Sequence, residues 1–155
     1  MANLKADGIS ERADDEAASR KAITDHIEEE TRKYLEAINA RDYDMNSPTW
    51  ASLHSAFTFD SWITDRAPSQ GAHNWFAMLQ RIADDHPEYQ IRIQDISVTL
   101  NDSKTKAEVF MNVETRDMPL GVVRQAVTIL TWKPKDRKWF CTSRRTFHGT
   151  DGING

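Results

Sequence analysis

The sequence predicts an α+β domain in which helices come first and pack on one face of an antiparallel sheet. Three observations carry this. Through the first half of the 155 residues the apolar side chains recur at helical spacing, and over residues 89–147 they recur at every second position between turn signals. The third is a slip of phase near Asp95: Tyr89, Ile91 and Ile93 share one parity, whereas Ile96, Val98 and Leu100 share the other. A β-bulge there reconciles the two and bends the sheet.

Residues 1–15 are polar, acidic and aperiodic and read as a flexible tail, so ordered structure is expected from Glu16. Ile23, Ile27, Tyr34, Leu35 and Ile38 then fall on one stripe of a long first helix, which ends over residues 39–44. Pro48 can open a short second helix that buries Trp50 and Leu53. Phe57 and Phe59 alternate with Thr58 and Asp60 as a short strand, and Ser69 is placed to cap a third helix whose apolar face is Ala72, Trp75, Phe76, Leu79, Ile82 and Ala83. His86-Pro87 stops it.

Four long strands follow. The first runs through the phase slip to Leu100 and a turn at residues 101–103; the second covers 106–116, with Ala107, Val109, Met111 and Val113 alternating with Glu108, Asn112 and Glu114. The third, 122–132, is apolar on both faces over 126–130 apart from Thr128 and is expected to be central. A turn at 133–137 returns the chain as 138–148. One domain over 16–149, with 150–155 a frayed end, accounts for the whole length.

Composition narrows the function classes. No stretch approaches the roughly 20 apolar residues that span a bilayer, and no signal-peptide pattern opens the chain. The lone Cys141 can form no internal disulfide, which suits a cytoplasmic protein. The net charge is −4, and the late basic cluster from Lys133 to Lys138 sits in a tight turn, so it reads as a solvated hairpin tip and not as a nucleic-acid site. His26, His54, His73, His86 and His148 show no metal-binding spacing, and neither a metal nor a cofactor is expected. Cys141, mid-strand between bulky neighbours, is a poor nucleophile.

The element order, together with Ala37-Ile38-Asn39-Ala40-Arg41-Asp42-Tyr43-Asp44 at the end of the first helix and Lys138-Trp139 opening the last strand, resembles the nuclear transport factor 2-like superfamily over about residues 17–148. SnoaL-like cyclases, ketosteroid isomerases and scytalone dehydratases are among its enzymes. The resemblance implies a cone, a strongly bent mixed or antiparallel sheet wrapped around about three N-terminal helices, with an apolar cavity that holds a small hydrophobic molecule. It also implies a homodimer through the outer sheet face, where Ala107, Val109, Met111 and Val113 would supply the apolar parity.

The same resemblance suggests roles. Tyr34 matches the ketosteroid isomerase tyrosine that donates to a developing enolate oxygen, Asp60 falls near that family's carboxylate base, and Thr128 takes the place of the second oxyanion donor. Against scytalone dehydratase the match fails, because Ile38-Asn39 replaces its Tyr-Asp pair. A carboxylate inside an apolar cone is tuned toward proton abstraction, yet an Asp at a strand end also caps a turn. A buried phenol can donate to developing charge, yet a helix Tyr also simply packs its ring. Arg124 and Arg144 share the parity of Thr128, Thr142 and Thr146; facing inward, they and Asn112 would make a polar floor able to hold a carboxylate or enolate oxygen. His73 and His86 bracket the third helix near the expected mouth, and Trp62, Trp75 and Phe76 can wall a ligand or fill the core.

The expectation is therefore a cofactor-independent isomerase, cyclase or lyase acting on a hydrophobic carbonyl compound such as a polyketide or terpenoid intermediate. The alternative is a non-catalytic dimeric ligand-binding or protein-interaction module of the same fold.

Overall fold

The computed structural model describes residues 3–60 and 69–148. Its first helix, α1 (Asn3–Asn39), starts earlier than the periodicity predicts, but its contacts with the rest of the molecule take hold at the expected place. Lys104 Nζ donates to Glu16 at 2.8 Å and Arg20 to the Leu100 carbonyl at 2.6 Å. From there Ile27, Tyr34, Leu35 and Ile38 are buried along the predicted stripe, and Thr31 joins them by returning its hydroxyl to the Ile27 carbonyl at 2.7 Å. That local bond lets a polar residue sit in an apolar stripe without an orphaned group.

The short second helix is a single 3-10 turn, Pro48–Trp50, and the chain then enters strand β1 (Leu53–Phe59) well before Phe57. Leu53 therefore begins a strand and does not complete a helix face. The backbone explains it: Cys141 N–H donates to the Ser52 carbonyl at 2.8 Å, pulling this segment against the last strand. Ser69 does not cap a helix either. It belongs to the two-residue strand β2 (Ser69–Gln70), paired with Phe59, and Gly71 makes the corner into α2 (Ala72–Asp85). Gly71 has φ +99, a region L side chains rarely enter, while its N–H reaches the Phe57 carbonyl at 2.7 Å.

Strands β3 (Gln90–Leu100), β4 (Ala107–Arg116), β5 (Val123–Lys135) and β6 (Lys138–His148) form the meander, and the six-stranded order is β2-β1-β6-β5-β4-β3. All neighbours are antiparallel except β1 and β6, which are parallel, so the sheet is mixed. The register shifts between Ile93 and Asp95, at the predicted slip, and again between Thr131 and Trp132. Each irregularity increases the local twist, and the sheet curls around α1 and α2. The β5–β6 hairpin closes on Asp136 and Arg137, both at positive φ, as a two-residue turn matched to strand twist requires.

The core lies on the concave side. Trp132, Phe57, Val109, Val113 and Ile27 have at most 1% of their surface exposed. Fully burying a large apolar side chain contributes about 1.5–3 kcal/mol, so this layer carries much of the stability. Ala107, Val109, Met111 and Val113 face this core, which corrects the expectation that they form the outer, dimerising parity. The outer face carries Phe110, Val127 and Phe147 instead, at 40%, 37% and 52% exposure. Among the described residues two helices and one 3-10 turn, rather than three helices, pack inside the sheet. Among the described residues no helix is long and apolar enough to cross a membrane.

Candidate functional site

Between the helices and the concave sheet lies an internal cavity of about 60 Å³. That is several times the roughly 10–15 Å³ one water requires and well below the pockets of about 300–1,000 Å³ that take drug-sized ligands. Its wall is apolar over most of its extent, with Leu35, Trp75, Leu79, Ile91, Met111 and Leu130 among the lining residues. Tyr34, Tyr89, Thr115, Thr128, Cys141 and Arg144 bring the polar atoms.

Arg144 is the charged group of this wall. It pairs with Leu130 on β5 and Phe59 on β1, which turns its side chain to the concave face, where it is 8% exposed. Its Nη1 donates to Asp60 Oδ1 at 3.4 Å, and its guanidinium lies over the Trp75 ring at 5.3 Å. Burial lowers its proton affinity from the usual arginine range, while Asp60, Tyr89 and Cys141 act in the opposite sense. A guanidinium kept charged in such a place costs several kcal/mol of desolvation, which one long contact offsets only in part.

Asp60 follows the last residue of β1, is half-exposed, and is not itself among the lining residues; it meets the cavity wall through Arg144. Its Oδ2 accepts from Thr146 N–H at 2.6 Å. The carboxylate thus continues the β1–β6 ladder by one more bond after the strand itself has ended. Among the described residues, two of its four lone-pair sites are engaged.

Tyr34 is not brought to Asp60. Its ring is stacked between Trp50 and Trp132, at 4.9 and 5.7 Å, and its hydroxyl meets Ser52 Oγ at 2.5 Å. Ser52 in turn donates to Glu30 at 3.5 Å. Burial pushes the phenol far up, with Cys141 and Glu30 in the same sense and Ser52 opposing. Along β6 the Ser52 contact is at Cys141 and the Asp60 contact at Thr146, so the two contacts are five residues apart, about 16 Å along the strand at about 3.3 Å per residue.

The remaining candidates separate. Thr128 lines the cavity, 4% exposed, with its hydroxyl 3.5 Å from that of Thr146. Arg124 pairs with the inward Thr115 and so shares the inner parity, but it sits exposed at the strand end. Asn112 does not join this floor: it pairs with Val127 on the outer face and donates to Asp95 at 3.4 Å. The parity of β4 decides this, since Met111 and Val113 on either side are the inward residues. Trp75 lines the cavity, whereas Phe76 packs edge-on against Trp50 and does not reach it. His73 and His86 are not among the lining residues, and Trp62 lies outside the described residues.

Three residues belong to this region that sequence reasoning passed over. Tyr89 closes one wall, its phenol raised by burial, with Arg41 held over its ring at 4.6 Å. Ser52 holds the Tyr34 hydroxyl. His148 follows Arg144 and Thr146 on the same parity, and burial with the nearby charge of Arg144 lowers its pKa from 6.5. Its parity was the available signal. Among the described residues no group of His, Cys, Asp and Glu is placed to hold a metal ion.

No family model and no curated protein matches the sequence. Solved structures do match the fold. A nuclear transport factor 2-like protein of unknown function from Pseudomonas putida superposes with a TM-score of 0.66 at 10% identity, over 81% of this chain and 86% of that one. The hexachlorocyclohexane dehydrochlorinase LinA-type3 from Novosphingobium barchaimii gives 0.67 at 13% identity, over 87% and 89%. The association domain of C. elegans CaMKII gives 0.62 at 18% identity, over 83% and 97%. At these identities the likeness establishes the architecture alone.

Proposed function

We propose that this chain, a cone of the nuclear transport factor 2-like fold, is a cofactor-independent isomerase, cyclase or lyase acting on a small hydrophobic carbonyl compound such as a polyketide or terpenoid intermediate. The observation that carries the reading is the pairing of Asp60 with Arg144, the charged residue in the wall of a mostly apolar cavity. A buried charge next to a carboxylate that, among the described residues, accepts only two hydrogen bonds is the kind of arrangement active sites use. Asp60 takes a proton from the carbon beside the carbonyl, Arg144 stabilises the enolate oxygen, and Thr128 and Arg124 support that charge before the proton returns. A dehydrochlorinase of the same fold supports the lyase form of this chemistry. Tyr34 contributes by closing the far wall of the cavity, since its hydroxyl is directed to Ser52.

The test is turnover on a panel of small cyclic and polyketide-like ketones. Asp60→Asn is expected to lower kcat at least about 100-fold with an unchanged circular dichroism spectrum. Wild-type turnover in that variant would remove Asp60 from the mechanism.

A second reading, a dimeric binding or interaction module, is favoured by the outer face. Phe110, Val127 and Phe147 stand exposed beside open grooves of about 370 and 260 Å³, and the cavity is small because Trp50, Trp75 and Trp132 fill the cone. An association domain of the same fold supports it. Absence of turnover across the panel, together with dimerisation through these residues, would decide for this reading.

A further inference from the structure

We propose that the cavity takes a small apolar monoanion, a carboxylate-bearing compound whose charged group docks on Arg144 beside Asp60. This deepens the preceding reading and rests on its assignment of the cavity as the ligand site. Three features of the wall point to it.

First, the guanidinium is under-used. It has five N–H donors, and among the described residues one of them meets Asp60, singly and at 3.4 Å. A matched guanidinium–carboxylate pair makes two parallel bonds near 2.8 Å. Asp60 cannot close that gap, because its other oxygen is fixed on the Thr146 N–H at 2.6 Å. The resident carboxylate is held by the backbone and only touches the arginine, so a ligand carboxylate can take the free donors in forked geometry while Asp60 stays in place.

Second, the charges at this end do not cancel. Among the described residues on the concave face of β5 and β6, and at the end of β1 beside them, the charged groups are Arg144, Arg124 and Asp60, two cations against one anion. Thr115, Thr128 and Thr146 add only neutral hydroxyls, and Tyr89 adds a phenol whose ionisation is suppressed by burial. His148 does not add a balancing group: burial and the two arginines disfavour its charged form, with Asp60 opposing. The chain as a whole carries −4, so this local excess of positive charge runs against the composition.

Third, the rest of the wall suits a short hydrocarbon. Leu79, Ile82, Ile91, Met111, Val113 and Leu130 surround the space that leads from Arg144. About 60 Å³ admits a short chain, and flexible Met78, Met111 and Met118 can yield to a slightly longer one.

Calorimetric titration at low ionic strength with butanoate, hexanoate and octanoate, each against its neutral primary amide, tests the assignment on the full chain. At least one acid is expected to bind about 10-fold or more tightly than its amide. Arg144→Met should abolish that difference, and Asp60→Asn should tighten the acid severalfold by removing the neighbouring negative charge. Equal affinity for acid and amide, no binding of either, a preference that survives in folded Arg144→Met, or weaker acid binding by Asp60→Asn would each overturn it. If Arg144→Met does not fold, Arg144→Lys and Asp60→Asn decide the matter by the same comparison. Absence of wild-type turnover across the ketone panel would by itself sink the catalytic reading and leave this one standing.

Discussion

Asp60 and Arg144 are 84 positions apart in the chain, and their meeting depends on where one strand stops. Beta-strand β1 ends at Phe59, so the next N–H along β6, that of Thr146, has no backbone partner and takes the Asp60 carboxylate instead. An Asp at a strand end and an Arg on a polar parity are each visible in the sequence, but the ladder that joins them is not. His148 illustrates the same point with a measurable consequence. Burial and Arg144 hold its folded-state pKa below 6.5, so in the window beneath that value the unfolded chain binds more protons than the folded one. Its contribution to stability is complete above the unfolded value and is lost as pH falls through the folded one. The melting temperature should therefore drop on acidification from about pH 7.5 to about pH 5.5, and His148→Gln should reduce that drop. An identical pH dependence in wild type and variant would show that His148 is as solvated folded as unfolded.

At the scale of elements, the bulge at Gln94 reconciles an apolar pattern that changes parity with a face that stays buried. Ile91 and Ile93 pair with Thr115 and Val113, and beyond the shift Ile96 and Val98 pair with Met111 and Val109, all on the concave side. Deleting Gln94 keeps every one of those residues inward and removes the bend together with the bond from Gln94 Nε2 to Glu114 Oε2 at 3.1 Å. That variant should unfold cooperatively in urea, at a cost of about 1–3 kcal/mol, and lose affinity for cavity ligands. Deleting Phe110 has a different result, because it turns Met111 and Val113 outward and brings Asn112 and Glu114 into the core. Unpartnered polar groups there cost several kcal/mol each, and no cooperative transition is expected. Similar stability in the two deletions would refute this account of the phase slip. The elements misjudged from sequence were the short ones. Pro48–Trp50 and Ser69–Gln70 are too brief for any periodicity, and Ser69 resembled a helix cap until its pairing with Phe59 was known.

For the whole molecule, the outer sheet face is the surface left to explain. Its apolar residues include Phe110, Val123, Val127, Ile129 and Phe147, of which Phe110, Val127 and Phe147 adjoin across β4, β5 and β6 through the Phe110–Ile129 and Val127–Phe147 pairs. Arg145 lies over the Phe147 ring at 5.8 Å, and Asp95 and Asn112 line the neighbouring groove. A self-complementary patch of that kind suits a homodimer, which needs about 800 Å² per partner. Sedimentation of the wild type should report a dimer, and Val127→Lys with Phe147→Lys should give a folded monomer with a nearly unchanged melting temperature. A wild-type monomer at micromolar concentration would remove the dimer from consideration.

What the sequence determined by itself is the fold: helices before strands, a bend near Asp95, a central β5 and an inward stripe on α1, because each is written in local spacing that a single buried face imposes. Tertiary structure alone decided the site. Periodicity tells which residues of a strand share a face but not which face looks inward, so Asn112 went to the wrong side and Ala107, Val109, Met111 and Val113 were assigned to the wrong surface. Tyr34 kept its predicted place on the helix, yet the direction of its hydroxyl was fixed by Ser52, a residue with no pattern of its own. Pairing across strands, and the point at which a strand stops, are long-range properties of the folded chain, and the Asp60–Arg144 pair depends on both.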